Sequence, residues 1–371
     1  MGLLDYYRQF EGLSDEEISL ELRTRAEERR RRALARIDAL DLSSTVWHEF
    51  PHPDVVAAVT YAVRRDINRL PDPHASELRH ELAVRHALEP ERVVAGNGAS
   101  QLLSAAAAAL LEPGDELVTP WPSYPLYPVM ARRAGARAVP VAGFDPDGLL
   151  GAVNEHTRVI VICNPNDPTG EHIPARRLGE LFAALPDRVT VLLDEALVDF
   201  VDDEPAGSSL GLLDDYERLL IFRTFSKVYG LAGLRVGYAL GAAGTEPLLE
   251  RLAPPLGLGS PAQAGALEAL SSAGAQVASR RATAIAERTR VLAALSELPV
   301  DVTASQANFV WFRAPSLSGA ELHGRLRRGG VIVASGAAVG ADDHLRATVQ
   351  SAPASDRLID ALRAAFADAA G

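Results

Sequence analysis

From about residue 91 the chain alternates short apolar runs with longer Ala-, Leu- and Arg-rich segments, and this alternation restricts the fold more than any other feature. The runs read RVVAG, ELVTP, RAVPV, RVIVIC, VTVLLD, LLIFRT and VGYAL. Each is apolar at successive positions rather than at every second one, which fits strands buried on both faces. Such strands, spaced by segments of helical period, build a parallel sheet covered by helices on either side. The expected fold is α/β: a large domain over 45–255 with a mostly parallel seven-stranded sheet flanked by helices. After residue 255 the pattern changes to a long Ala/Arg-rich helix, short strands (DVTAS, NFVWF, VIVAS, HLRATV) and a terminal helix. This predicts a small α+β domain over 256–371. Residues 1–44 are expected as a helical segment joining it, opened by the capping-box pattern Ser14-Asp-Glu-Glu17 and helical over 14–38. The Pro-containing stretch from Trp47 to Asp54 reads as a linker.

A length of 371 residues suits one large and one small core. The net charge of −12 argues against a nucleic-acid or anionic-membrane partner. No run reaches the roughly 18 apolar residues of a membrane span. The first dozen residues lack a signal-like apolar stretch, and the one cysteine, Cys163, excludes an intrachain disulfide framework. A cytoplasmic protein is expected.

Parallel α/β sheets bind ligands beyond the carboxyl ends of their strands, so the residues after each apolar run are the candidates. RVVA runs into Gly96-Asn97-Gly98-Ala99-Ser100-Gln101 and a helix, an arrangement that offers backbone N–H groups to a phosphate. Alone this is weak, since GxG before a helix is often only a turn. RVIVIC ends in Asn164-Pro-Asn166-Asp167-Pro168-Thr169-Gly170. VTVLLD ends in Asp194-Glu195, a poorly solvated carboxylate that needs a partner. LLIFRT leads to Ser226-Lys227 and Arg235, and here composition decides. Of 37 basic residues Lys227 is the one lysine; the other 36 are arginine. Charge alone is served by arginine throughout, whereas only an amine can lose its proton and attack a carbonyl. An imine-forming lysine, a phosphate cradle and a carboxylate for a ring nitrogen are together what pyridoxal phosphate requires.

These residues, in this order, resemble the fold-type I pyridoxal phosphate enzymes of the aminotransferase class I/II superfamily, in particular its histidinol-phosphate aminotransferase-like branch. The resemblance runs from about residue 44 to the C-terminus through NPNDPTG, DEA, the T-x-S-K block followed by G-L-R, and LRATV. It implies that Lys227 anchors the cofactor and shuttles the proton, that Asp194 pairs with the pyridine nitrogen, and that Tyr124 stacks on the ring. Gly98, Ala99, Ser100, Thr224, Ser226 and Arg235 would contact the phosphate. Asn166 and Asp167 lie in the turn facing the ring oxygen, and Arg346 would clamp the substrate's α-carboxylate. It further implies a homodimer that moves an amino group from a small-molecule amino donor to a 2-oxo acid, with small neutral or apolar amino acids as the expected donors.

The departures are specific. Leu197 stands for a tyrosine and Asp167 for an asparagine that contact the ring oxygen, with Asn166 a candidate substitute. Leu70 stands for a tyrosine reaching the partner subunit's cofactor phosphate. Ala334 stands for the arginine that holds a substrate phosphate, which argues against histidinol phosphate. Two rival readings keep the cofactor: a decarboxylase of an amino-acid phosphate, and a binding protein with little turnover. His48-Glu-Phe-Pro-His52 formally matches the zinc motif H-E-x-x-H, but Pro51 breaks the helix that motif needs, so no metal is expected.

Overall fold

The computed structural model describes residues 14, 24, 39–205 and 207–367. The expected helix over 14–38 therefore lies almost wholly outside the described residues. In chain order the strands are β1 (Leu40–Asp41), β2 (Val93–Gly96), β3 (Glu116–Trp121), β4 (Arg137–Ala142), β5 (Thr157–Cys163), β6 (Thr190–Asp194), β7 (Leu219–Thr224) and β8 (Gly237–Gly241). They continue with β9 (Asp301–Thr303), β10 (Phe309–Arg313), β11 (Val331–Ile332), β12 (Ala334–Ser335) and β13 (His344–Thr348).

All seven apolar runs are strands of one sheet, in the order β2-β8-β7-β6-β5-β3-β4. Strands β3 to β7 pair parallel, and β8 alone runs antiparallel, between β2 and β7. Burial explains the runs. From Val159 to Cys163 and from Thr190 to Asp194 every residue is buried, because helices cover both faces. The second sheet, β12-β13-β10-β9, is antiparallel and carries its own apolar core.

Three expectations change. The run VIVAS is two strands in two sheets: Val331–Ile332 pairs parallel with β1, while Ala334–Ser335 pairs with β13. The long helix after 255 is two helices, Ser260–Ser272 and Gly274–Ser296, parted at Ala273 beside a glycine of poor helix propensity. The first of them buries Ala262, Ala266 and Ala269 in the core of the seven-stranded sheet, so the change of core falls later than residue 256. The stretch expected as a linker is partly packed. Trp47 is buried in the second core, and His52 caps the helix Pro53–Asp66.

The second helix explains its arginines. Arg280 donates to the carbonyls of Val228 (3.0 Å), Tyr229 (2.9 Å) and Phe50 (2.7 Å). Arg288 donates to Phe200 and Ala307 and pairs with Asp202. Arg280 thus bolts this helix to the loop that follows Lys227 and Arg288 ties it to Phe200 and Ala307, and satisfying several carbonyls at once offsets the desolvation of each charge.

Candidate active site

The carboxyl ends of β2, β3, β5, β6 and β7 open onto one cavity. Ala99 and Ser100 reach it from the helix after β2, and Tyr124 from the loop after β3. Asp167, Asp194, Thr224, Ser226, Lys227 and Arg235 complete the polar lining, so nine of the residues picked out by sequence meet in one place.

At one end the walls are built for an anion. The helix Ala99–Leu110 begins here with Gly98 as an N-cap that has no side-chain acceptor, so its first N–H groups are free of partners within the helix. Gly98 has φ +85°, which favours glycine, and a Cβ there would lie 2.7 Å from Arg235 Nη2 and displace that end of the arginine. Arg235 Nη1 donates to Ser226 Oγ at 3.4 Å, and Thr224 Oγ1 accepts from the Ser226 N–H at 3.1 Å. Arg235 itself sits at φ +54°, a conformation that costs an L-residue about 1 kcal/mol or more and that clusters at functional sites. Sequence reasoning missed Gly237. A Cβ there would meet backbone on every side, at 2.4 Å from Ala99 N, 2.8 Å from Gly98 C and 2.9 Å from Arg223 O. Overpacking of this kind costs about 1–3 kcal/mol, so Gly237→Ala is expected to weaken cofactor binding roughly ten- to a hundredfold. Spectrophotometric titration of the cofactor-free variant measures it, and an unchanged affinity would show that the cradle yields without loss.

At the other end stand the carboxylate and the amine. Asp194 ends β6 with its side chain buried; Oδ2 accepts from Tyr127 Oη at 2.8 Å and Oδ1 from the Ala196 N–H at 3.2 Å. Burial pushes its pKa up to about 6, against these two hydrogen bonds and the Lys227 charge. Such a carboxylate is short of positive charge and suits a protonated ring nitrogen. Burial also holds the Lys227 ammonium below its ordinary range; the Asp167 carboxylate opposes this and the Arg346 guanidinium adds to it. Lys227 Nζ donates to Thr45 Oγ1, a contact 182 residues away that no local pattern signals. Tyr124 borders the cavity edge-on to Tyr127, with ring centroids 5.7 Å apart.

Other picks differ in what they touch. The Asn166 carboxamide does not face the cavity: its oxygen accepts from Ser123 Oγ (2.7 Å), and its nitrogen donates to Pro122 O and Thr169 Oγ1 (both 2.9 Å). Fully buried and consumed in this way, it is a turn-former rather than a substitute donor. Leu197 lines the cavity and also joins the second core. Asp167 is ion-paired with Arg346, whose Nη2 donates to Ser43 O at 2.8 Å. Ala334 lies directly across from Arg346 in the β12–β13 register. Leu70 is 85% exposed and away from the cavity. Residues 48–52 precede a helix that starts at Pro53, so the two histidines do not share a helix face. Among the described residues no group of three or more His, Cys, Asp or Glu is placed to hold a metal, and no helix is long and apolar enough to cross a membrane.

The donor set fits pyridoxal phosphate: an anion cradle that two glycines keep open, a buried carboxylate short of charge, and a desolvated amine. Comparisons agree. The sequence profile of the family "Aminotransferase class I and II" matches residues 37–363. An aromatic amino acid aminotransferase of Corynebacterium efficiens is 38% identical over 333 residues, 88% of this chain and 93% of that protein. One from Cutibacterium acnes is 37% identical over 279 residues, 74% of this chain and 79% of its own. The histidinol-phosphate aminotransferase of Sinorhizobium meliloti, solved with pyridoxal-5'-phosphate, superposes with a TM-score of 0.81 at 25% identity, covering 92% of this chain and 94% of that one. A Thermus thermophilus aspartate aminotransferase mutant gives 0.80 at 25% identity, over 96% and 99%. The chain belongs to the class I and II aminotransferases, and is a pyridoxal phosphate-dependent transaminase acting on an amino acid and a 2-oxo acid.

Proposed function

We propose that the amino donor is an aromatic or large apolar α-amino acid, and that the protein works as a cytoplasmic homodimer. The observation that carries the choice of donor is the run of relatives named aromatic amino acid aminotransferases at 36–38% identity over most of the chain. Ala334 supports it: opposite Arg346, where the two side chains share one face of the sheet, there is a methyl group and no cation for a phosphorylated side chain. Tyr61, Ile67, Leu70 and Leu256 support the dimer, being large apolar side chains left 64–85% exposed.

In this reading Lys227 holds the cofactor's aldehyde, Asp194 its pyridine nitrogen, and Tyr124 its ring face. Backbone amides at Gly98, Ala99 and Ser100 hold the phosphate, with Thr224, Ser226 and Arg235. Once bound, the cofactor supplies an electron sink beside the Cα of the amino donor. The chain supplies the rest. Lys227, its charged form disfavoured by burial, accepts the Cα proton as general base and gives it back as general acid. Asp194 keeps a positive partner beside its carboxylate, and Arg346 orients the donor through its α-carboxylate.

A panel of amino acids added to the holoprotein, followed by the change in cofactor absorbance, tests the donor class. Phe, Tyr and Trp should exceed Ala by roughly ten- to a hundredfold in kcat/KM, the value of burying an aromatic side chain. A preference for aspartate or histidinol phosphate would overturn it.

A further inference from the structure

Asp167 and Arg346 form an ion pair at the edge of the cavity, with side chains only 14% and 16% exposed. The acceptor is Asp167 Oδ1 and the donor Arg346 Nη1. The guanidinium is fixed from other sides as well: Nη2 donates to Ser43 O, and the group lies over the Phe309 ring at 5.2 Å. Its Nε is buried and has no hydrogen-bond partner among the described residues. Among the described residues, the charged groups facing Asp167 include Arg346 from β13, Lys227 from the loop after β7, and Asp194 at the end of β6.

We propose that Asp167 is an internal competitor for Arg346, a carboxylate that lowers the affinity of the site for every carboxylate substrate. The inference rests on the reading of Arg346 as the residue that binds the substrate carboxylate. A guanidinium that already holds one carboxylate in a poorly solvated place gains less from a second, and the two anions repel. The loop cannot carry Asp167 away to relieve this. Gly170 N donates to Asn166 O at 2.7 Å, Asn166 N donates to Glu171 O at 2.8 Å, the Asn164 carboxamide bonds the Ile173 backbone, and that of Asn166 bonds Thr169 and, across from the turn, Pro122 and Ser123. Only rotation of the Asp167 side chain frees the guanidinium, and that leaves a carboxylate near Asp194 without its partner. Because the penalty is the same for all carboxylates, it leaves their ranking unchanged and raises the concentration at which each binds. Those that add a large buried apolar side chain still bind more tightly than small ones.

The test is calorimetric and needs no turnover. The probe is 3-phenylpropanoate, a carboxylate with neither an amino nor an oxo group, with the neutral 3-phenylpropanamide as control. The proteins are holoenzymes of the wild type, Asp167→Asn, Asp167→Glu and Arg346→Gln, each checked by thermal melting. Asp167→Asn should bind the carboxylate roughly tenfold more tightly than wild type, the factor that removal of one competing charge gives at about 1.4 kcal/mol. It should bind the amide unchanged, and Asp167→Glu should retain weak carboxylate binding. No gain in Asp167→Asn, including no measurable binding by either protein, overturns the inference, as does an equal gain for the amide. If Arg346→Gln binds the carboxylate as well as wild type, the reading of Arg346 falls and the inference with it. If Arg346→Gln loses affinity while Asp167→Asn gains none, only the inference falls. Should Asp167→Asn fail to fold, Asp167→Ser serves in its place with the same expected gain.

Discussion

Lys227→Arg is expected to abolish turnover, with kcat/KM reduced by about 10⁴-fold or more, the upper range for loss of a proton-transferring group. Arginine keeps the positive charge, nearly the length and the hydrogen-bonding capacity, so a purely electrostatic role would survive the change. It cannot survive if Nζ must lose its proton, because guanidinium stays protonated at any pH a protein tolerates. The surroundings favour the second case. Burial disfavours the ammonium form, and the nearby carboxylates of Asp167 and Asp194 pull the other way. The sequence makes the covalent part of the claim unusually clean, since Lys227 is the one lysine in 371 residues. Borohydride reduction of the holoprotein should fix the cofactor to the peptide containing Ser226-Lys227, and peptide mapping should find no such label in Lys227→Arg. A label confined to the N-terminal amine would remove Lys227 from the chemistry.

That lysine, like the seven strands, could be picked out without coordinates because its signal is local. A strand buried on both faces must be apolar at consecutive positions, and the residue that ends it must face the ligand side of the sheet. Asp194, Thr224 and Ser226 follow from that rule alone. What escaped depends on contacts between distant parts of the chain. VIVAS reads as one strand, and its division is forced by Leu40–Asp41, which pairs with its first half some 290 residues downstream. Thr45, the partner of Lys227, sits in a segment read as a boundary, and Tyr127, which donates to Asp194, carries no signal of its own in the sequence. Gly237 gives no sign in sequence that the Gly98–Ala99 backbone lies against it. Asn166 shows the converse failure. Its place in NPNDPTG gives it a ligand, whereas packing turns its carboxamide to Pro122, Ser123 and Thr169; Asp167 beside it does line the cavity, paired with Arg346. The break at Ala273 was within reach of sequence, since Ser271, Ser272 and Gly274 surround it with poor helix formers.

Asp194→Asn should separate function from stability, moving them in opposite directions. An asparagine can keep its oxygen for the Ala196 N–H and donate from its NH2 to Tyr127 Oη, whose hydroxyl can reverse its role, so the packing around the site is retained. It cannot hold a positive charge on a ring nitrogen, and kcat should fall by about 10²- to 10³-fold, as when a preorganised charge-stabilising group is lost. For the cofactor-free protein the expected change is a gain. The Asp194 carboxyl moves from 3.8 to about 6 on folding because burial penalises its charge. Such a raised carboxyl binds its proton more tightly in the folded state. The penalty is absent below pH 4, where both states are protonated. It grows between pH 4 and 6 and is complete above pH 6, where both are ionised. The difference in pKa corresponds to a penalty on the order of 3 kcal/mol. Cofactor-free Asp194→Asn should therefore be more stable than wild type to urea at pH 7.5, by up to that amount, and the two should converge by pH 4. Equal stability at pH 7.5 would mean that the carboxylate is already compensated without the cofactor. In that case the positive charge of the bound ring would not be what Asp194 is built to receive. With the expected result, the destabilising carboxylate is one kept for catalysis, and cofactor binding relieves it.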